Sequence, residues 1–143
     1  MIIQIIPIIV NNIKATMNTE EITYKVNGCA MKVYNTLGNG FQEVIYQRAL
    51  AIELEKNSIA FLREVEMKIF YDEIEIGKRR VDFFVNEEIA VELKAVISLE
   101  DVHLAQAKNY LEAFKINTGL LINFGAKSLE FKRVYNNNKV NSI

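Results

Sequence analysis

Between Thr19 and Leu37 the apolar positions Ile22, Val26, Ala30, Val33 and Leu37 recur at helical spacing. Thr19 followed by Glu20 and Glu21 suits an N-cap with an acidic first turn. Gly38-Asn39-Gly40 then breaks the helix. A second helix is predicted from Phe41 to Lys56, with Val44, Ile45, Ala49 and Ile52 inward, Leu50 or Leu54 as further candidates, and Asn57 and Ser58 ending it.

The period then drops to two. In "AFLREVEMKIFY", Phe61, Arg63, Val65, Met67 and Ile69 alternate with Leu62, Glu64, Glu66, Lys68 and Phe70, the pattern of a strand with a charged outer face. "EIEIGKRRVDFFV" reads as a second strand with a bend or bulge at Gly77. "EEIAVELKAV" is almost wholly apolar, as expected of a central strand buried on both faces. A helix from Leu99 to Phe114 follows, capped by Ser98, with Glu100 and Asp101 in its first turn. "TGLLINFG" gives another central strand and "LEFKRVY" an edge strand. The order is ααβββαββ, which defines a mixed α+β domain.

Composition narrows the picture. The 143 residues suit one domain with its own core, and the formal net charge of −1 provides no global basic field for nucleic acid. Local basic candidates are Lys78-Arg79-Arg80 and the group Lys127, Lys132, Arg133. The single cysteine, Cys29, excludes an internal disulfide and a cysteine-based zinc site, and fits a reducing, cytoplasmic setting. The apolar start "MIIQIIPIIV" is too short for a bilayer-spanning helix and is interrupted by Pro7. It also lacks the basic region and cleavage site of a signal peptide. The expected organisation is an accessory extension over 1–17, a domain over 18–135, and a polar tail over 136–143.

Candidate chemistry sits in "VELKAV". Glu92 and Lys94 share one face of an apolar strand, where unpaired charge costs several kcal/mol to desolvate. If the hairpin turns about Asn86-Glu87-Glu88, Val85 pairs with Ile89 and Asp82 lies opposite Glu92. Two facing carboxylates repel, and a divalent cation such as Mg²⁺ reverses that penalty. A lysine beside such a site can polarise a water or stabilise developing charge on phosphorus. Without a metal, the same residues make a Glu92–Lys94 ion pair, with Asp82 held by Arg79 or Arg80. Elsewhere, Glu43 and Tyr46 share a helix face, and His103, Gln106 and Tyr110 form a stripe on the later helix.

Together these residues resemble the GxxExxY family of the PD-(D/E)XK nuclease superfamily. The signature reads Gly40-Phe41-Gln42-Glu43-Val44-Ile45-Tyr46, and "RRVDFFV", "VELKAV", "HLAQAKNYL" and "GLLINFG" continue it. The arrangement is also similar to that of RecB-type nucleases. The resemblance implies a restriction-endonuclease-like fold, with a central mixed sheet flanked by helices. It implies Asp82 and Glu92 as metal ligands, Glu43 completing the acidic set, and Lys94 as the activating or stabilising group. Gln106 and Tyr110, with Tyr46, His103 and Arg80, would position the substrate. The implied function is Mg²⁺-dependent hydrolysis of nucleic acid, most readily DNA, with Mn²⁺ as a substitute cation and a homodimer as the assembly. The alternative is a catalytically silent binding module on the same fold. Two positions depart from the family pattern: Tyr34 stands where the family often has His, and Asn39 where the turn usually has Pro.

Overall fold

A computed structural model describes residues 17–136, so the expectations for the apolar extension and for the tail beyond Asn136 lie outside the described residues. Among the described residues three helices, α1 (Thr19–Leu37), α2 (Glu43–Lys56) and α3 (Asp101–Phe114), accompany one sheet. Its strands are β1 (Phe61–Tyr71), β2 (Ile74–Val85), β3 (Ile89–Lys94), β4 (Thr118–Asn123) and β5 (Glu130–Tyr135), in spatial order β1-β2-β3-β4-β5. Only β3 and β4 run parallel, and α3 makes the crossover between them. The result is the mixed α+β architecture, with a mixed sheet flanked by helices.

Two cores form, one on each face of the sheet. Ile22, Val26, Ala30 and Val33 of α1 and Leu50 and Leu54 of α2 pack with Phe83, Val91, Leu93 and Ile122. On the other face Ala107, Tyr110 and Leu111 of α3 pack with Val81, Ala90 and Val134. β3 is central and its apolar residues are buried, as its composition predicts.

Several local expectations are corrected. The N-cap of α1 is Asn18, whose Oδ1 accepts from the Glu21 N–H at 2.9 Å, and Thr19 is already helical. α2 starts at Glu43, with Gln42 as its N-cap, and its inward stripe is Tyr46, Gln47, Leu50, Ala51 and Leu54. Val44 and Ile52 are exposed. Apolar residues occur all round this helix, so spacing alone did not select a face. α3 is capped by Glu100 and not by Ser98: the Glu100 side chain accepts from the His103 N–H, and His103 Nδ1 accepts from the Glu100 N–H at 2.9 Å. The bulge expected at Gly77 falls beside it, since Ile69 pairs with Gly77 but Phe70 pairs with Glu75.

The alternation in β1 is also broken. Phe61 belongs to the core under α1 and α2, whereas Val65 and Met67 pack under α3. The switch occurs at Glu64, whose φ of 55° lies in the left-handed region. On β2 the same exchange separates Phe83 from Val81. Asp82 lies at that point.

Candidate active site

Asp82 stands where the sheet opens. β1 pairs Arg63 with Phe83 and Val65 with Val81, leaving Glu64 and Asp82 outside the ladder. On the other side, β2 and β3 pair from Val85↔Ile89 to Phe83↔Val91, and the ladder stops one step before Asp82 and Glu92. The hairpin register is therefore the one expected from the sequence. The Asp82 carboxylate replaces the missing main-chain partner: Oδ2 accepts from the Leu93 N–H at 2.8 Å. Its other oxygen accepts from Gln47 Nε2 at 2.7 Å, and Gln47 Oε1 accepts from Arg63 Nε at 3.3 Å. The amide of Gln47, buried on α2, is thus oriented at both ends.

Burial pushes the Asp82 carboxyl above the usual carboxylate range. The Leu93 and Gln47 hydrogen bonds oppose this, and the charges of Glu92 and Glu43 add to it. Both glutamates are therefore within electrostatic reach of Asp82, although the three lie on β2, β3 and the first turn of α2.

Glu92 is held differently from either expectation. Arg79 Nη2 donates to both Glu92 oxygens at 3.0 Å. The pair is substantially buried, with 12 % of the Glu92 side chain and 29 % of the Arg79 side chain exposed. The Arg79 guanidinium also lies over the Tyr110 ring, 5.4 Å from its centroid. Tyr110 is buried and its hydroxyl donates to Met67 Sδ at 3.3 Å. Burial first, and the Glu92 charge second, push this phenol above its ordinary range. Lys94 ends β3, half-buried, and no carboxylate pairs with it among the described residues. The Glu92–Lys94 ion pair is therefore replaced by Arg79–Glu92, and Asp82 is held by an amide and a main-chain N–H instead of an arginine.

The remaining candidates separate. Tyr46 is completely buried, stacked on Phe124 at 4.5 Å, with its hydroxyl donating to Gly38 O and accepting from the Phe41 N–H. It holds the Gly38–Phe41 turn that leads into Glu43 and is not presented to a ligand. His103 is committed to the α3 cap. Arg80 is exposed opposite Glu66 on β1, and Gln106 is exposed on α3. Tyr34, at the position where the resemblance leads one to expect His, donates its hydroxyl to Ala126 O at 2.7 Å and ties α1 to the segment after β4.

Sequence reasoning missed the roles of Gln47 and Arg63, and it offered Arg79 as a partner for Asp82, whereas Arg79 pairs with Glu92. Gln47 lies on the buried stripe of α2, where a polar group requires partners, but the sequence did not single out that stripe, so it carried no usable signal.

Asp82 and Glu92 supply hard oxygen donors on adjacent strands, and the Asp82 carboxylate is destabilised by its surroundings in the way a cation would relieve. Among the described residues no group of three or more His, Cys, Asp or Glu side chains is arranged to hold a metal ion. Two carboxylates with waters still fit Mg²⁺. Arg79 must share or yield Glu92 for this to occur.

The fold is thus a mixed sheet interrupted at an aspartate, with Glu92 and Lys94 on the neighbouring strand. The sequence profile of the PD-(D/E)XK nuclease superfamily matches residues 20–134, and the chain belongs to that superfamily. The fold is similar to the crystal structure of SSO0001, with a TM-score of 0.53 at 17% identity over 85% of this chain. The match covers 63% of SSO0001, so this chain spans less than two thirds of that protein. No functionally curated protein shows significant similarity to the sequence. Among the described residues, no helix is long and apolar enough to cross a membrane.

Proposed function

We propose that the protein is a divalent-metal-dependent nuclease, of the GxxExxY type and with a RecB-like arrangement, that hydrolyses phosphodiester bonds in DNA. The observation that carries this reading is Asp82: a desolvated carboxylate, set in a break of the sheet and within electrostatic reach of Glu92 and Glu43. Mg²⁺, or Mn²⁺ in its place, supplies charge neutralisation and an activated water when bound. Asp82 and Glu92 hold the cation, with Glu43 acting directly or through water. Gln47 and the Leu93 N–H fix the Asp82 carboxylate in one orientation. Lys94, free of a carboxylate partner among the described residues, has its ammonium available to a substrate phosphate or attacking water. Tyr110 acts through Arg79, which it supports, and Gln106 and Arg80 contact the substrate backbone. A cytoplasmic location fits such an enzyme.

A second reading has its own observation. Arg79 engages both oxygens of Glu92, which is how a catalytically silent binding module would neutralise the charge permanently. The test is cleavage of a DNA and RNA panel with Mg²⁺, with Mn²⁺ and with chelator, for wild type and Lys94→Ala. The nuclease reading expects metal-dependent cleavage and a loss of about 100- to 1000-fold in Lys94→Ala, with folding and metal response retained. No cleavage of any substrate with either metal, together with nucleic-acid binding that ignores the metal, would establish the silent module.

A further inference from the structure

β1 is an edge strand of eleven residues, and among the described residues no strand pairs with its outer side. Beyond it the hairpin ends in an apolar tip: Phe70, Tyr71, Ile74 and Ile76 are each 59–68% exposed. A long open edge with apolar residues is an invitation to pair with another chain, and stable proteins cover or blunt such edges. Charge decides what kind of partner fits. Between Phe61 and Val85 there are five basic and six acidic side chains. A nucleic-acid surface would carry an excess of positive charge, and this one does not.

The order of residues along β1 is self-complementary. Place a two-fold axis at Met67, so that two copies of the strand run antiparallel. Glu66 then faces the partner's Lys68, Lys68 faces the partner's Glu66, Val65 faces the partner's Ile69, and the two Met67 side chains face each other. Opposite charges and apolar residues meet at every position, the pairing that stabilises antiparallel strands. The geometry of β1 limits the ladder to the same five residues. Glu64, with its left-handed φ, ends it on one side, and the bulge between Ile69 and Phe70 ends it on the other. Past the ladder, the partner's Phe70 and the partner's Tyr71 come alongside Glu64 and Arg63. Arg63 donates to Gln47, which holds Asp82.

We propose that the protein dimerises by antiparallel pairing of β1 with β1 of a second copy about Met67. Each hairpin tip then walls the other copy's Asp82 site. This inference stands on the edge strand and is independent of whether the site cleaves anything.

Sedimentation velocity of the full chain over a concentration series gives the assembly state. Lys68→Glu should weaken the dimer by about tenfold or more, because it sets like charges opposite each other twice per dimer. The double variant Glu66→Lys/Lys68→Glu should restore it. Within one chain the double variant still loses both the Lys68–Glu75 and the Lys78–Glu66 bridge, so recovery can come only from pairing between chains. Cross-linking fixes the register. Glu66→Cys and Lys68→Cys proteins, mixed and oxidised, should form a disulfide-linked heterodimer, since facing positions lie about 5 Å apart. Each alone should not, because identical positions lie roughly 8 Å apart in this register. The native Cys29 is buried and does not compete. A monomer at every concentration, a dimer indifferent to Lys68→Glu, or a mixture that fails to cross-link would each overturn the proposal.

Discussion

Replacing Arg79 by alanine tests how the charge of the site is balanced. Arg79 gives Glu92 two hydrogen bonds at 3.0 Å and stacks on Tyr110. Its loss leaves a carboxylate side chain only 12 % exposed without its cation. Breaking a fully buried ion pair costs about 3–5 kcal/mol, and an exposed one about 0–1. Arg79 is itself 29 % exposed, so water screens part of the effect and the expected loss at neutral pH is about 2–3 kcal/mol. A divalent cation can replace the guanidinium, so Mg²⁺ or Mn²⁺ should stabilise Arg79→Ala more than wild type. At a concentration one hundred times Kd the metal-induced stabilisation of the variant is about 2.7 kcal/mol. Urea denaturation at neutral pH, with each metal and with chelator, measures both effects. A loss untouched by either metal would show that Arg79 does not stand in for a cation and that Glu92 is not a ligand.

Three other outcomes follow from the same contacts. Asp82 has a raised pKa in the folded protein, so its contribution to stability is fully present below the unfolded pKa and is lost as pH rises through the folded one. Glu43→Gln removes one of the charges responsible without touching the Asp82 hydrogen bonds. NMR titration should show the Asp82 pKa fall towards its ordinary value, and an unmoved titration would separate Glu43 from the site. Gln47→Leu strips a donor from Asp82 and one acceptor from Arg63, and should cost about 1–3 kcal/mol in chemical denaturation while weakening any metal-induced rise in Tm. An unchanged metal response would mean that Gln47 does not orient Asp82. Gly125→Ala would put a Cβ 2.4 Å from the backbone of Ala95 and Val96, directly after the Phe124 N–H that bonds Lys94 O. It should lower Tm and disturb the end of β3, and a variant with wild-type Tm would show that this segment yields freely.

How far the sequence disclosed this arrangement differs between the fold and the site. The β2–β3 register was readable because Asn86-Glu87-Glu88 is the one polar break between two apolar runs, and a slip of one residue would have turned Val85, Ile89 and Val91 out of the core. The two apolar strands and the helix between them were readable as elements, whereas their parallel pairing came only with the structure. The inward face of α2 was not readable, because Val44 and Ile52 compete with Leu50 and Leu54, and only the position of Phe124 under Tyr46 decides between them. The face switch in β1 was hidden as well. It depends on a left-handed Glu64, and glutamate carries no signal for that conformation. The pairing of Arg79 with Glu92 was hidden for the same reason: strict alternation sets Arg79 on the opposite side of β2 from Asp82, and the face switch between Val81 and Phe83 puts it on the side of Glu92.

These misses share one cause, and it bears on how the site works. Regular pairing would satisfy the Leu93 N–H through the β2 backbone and press Asp82 and Glu92 together as a cross-strand pair, which like charges disfavour. The sheet instead gives up pairing at Glu64, Asp82 and Glu92, and a side-chain carboxylate takes the place of a main-chain carbonyl. That exchange fixes Asp82 without a salt bridge, so its charge is left only partly offset. Glu92 is neutralised by an arginine that bonds both its oxygens and keeps 29 % of its own side chain exposed. The irregularity that defeats periodicity in the sequence thus leaves two carboxylates held in different ways, Asp82 by neutral hydrogen-bond donors and Glu92 by a cation. On the proposed function that asymmetry leaves one carboxylate for a metal to relieve, whereas a strand serving only the core would have kept its ladder closed.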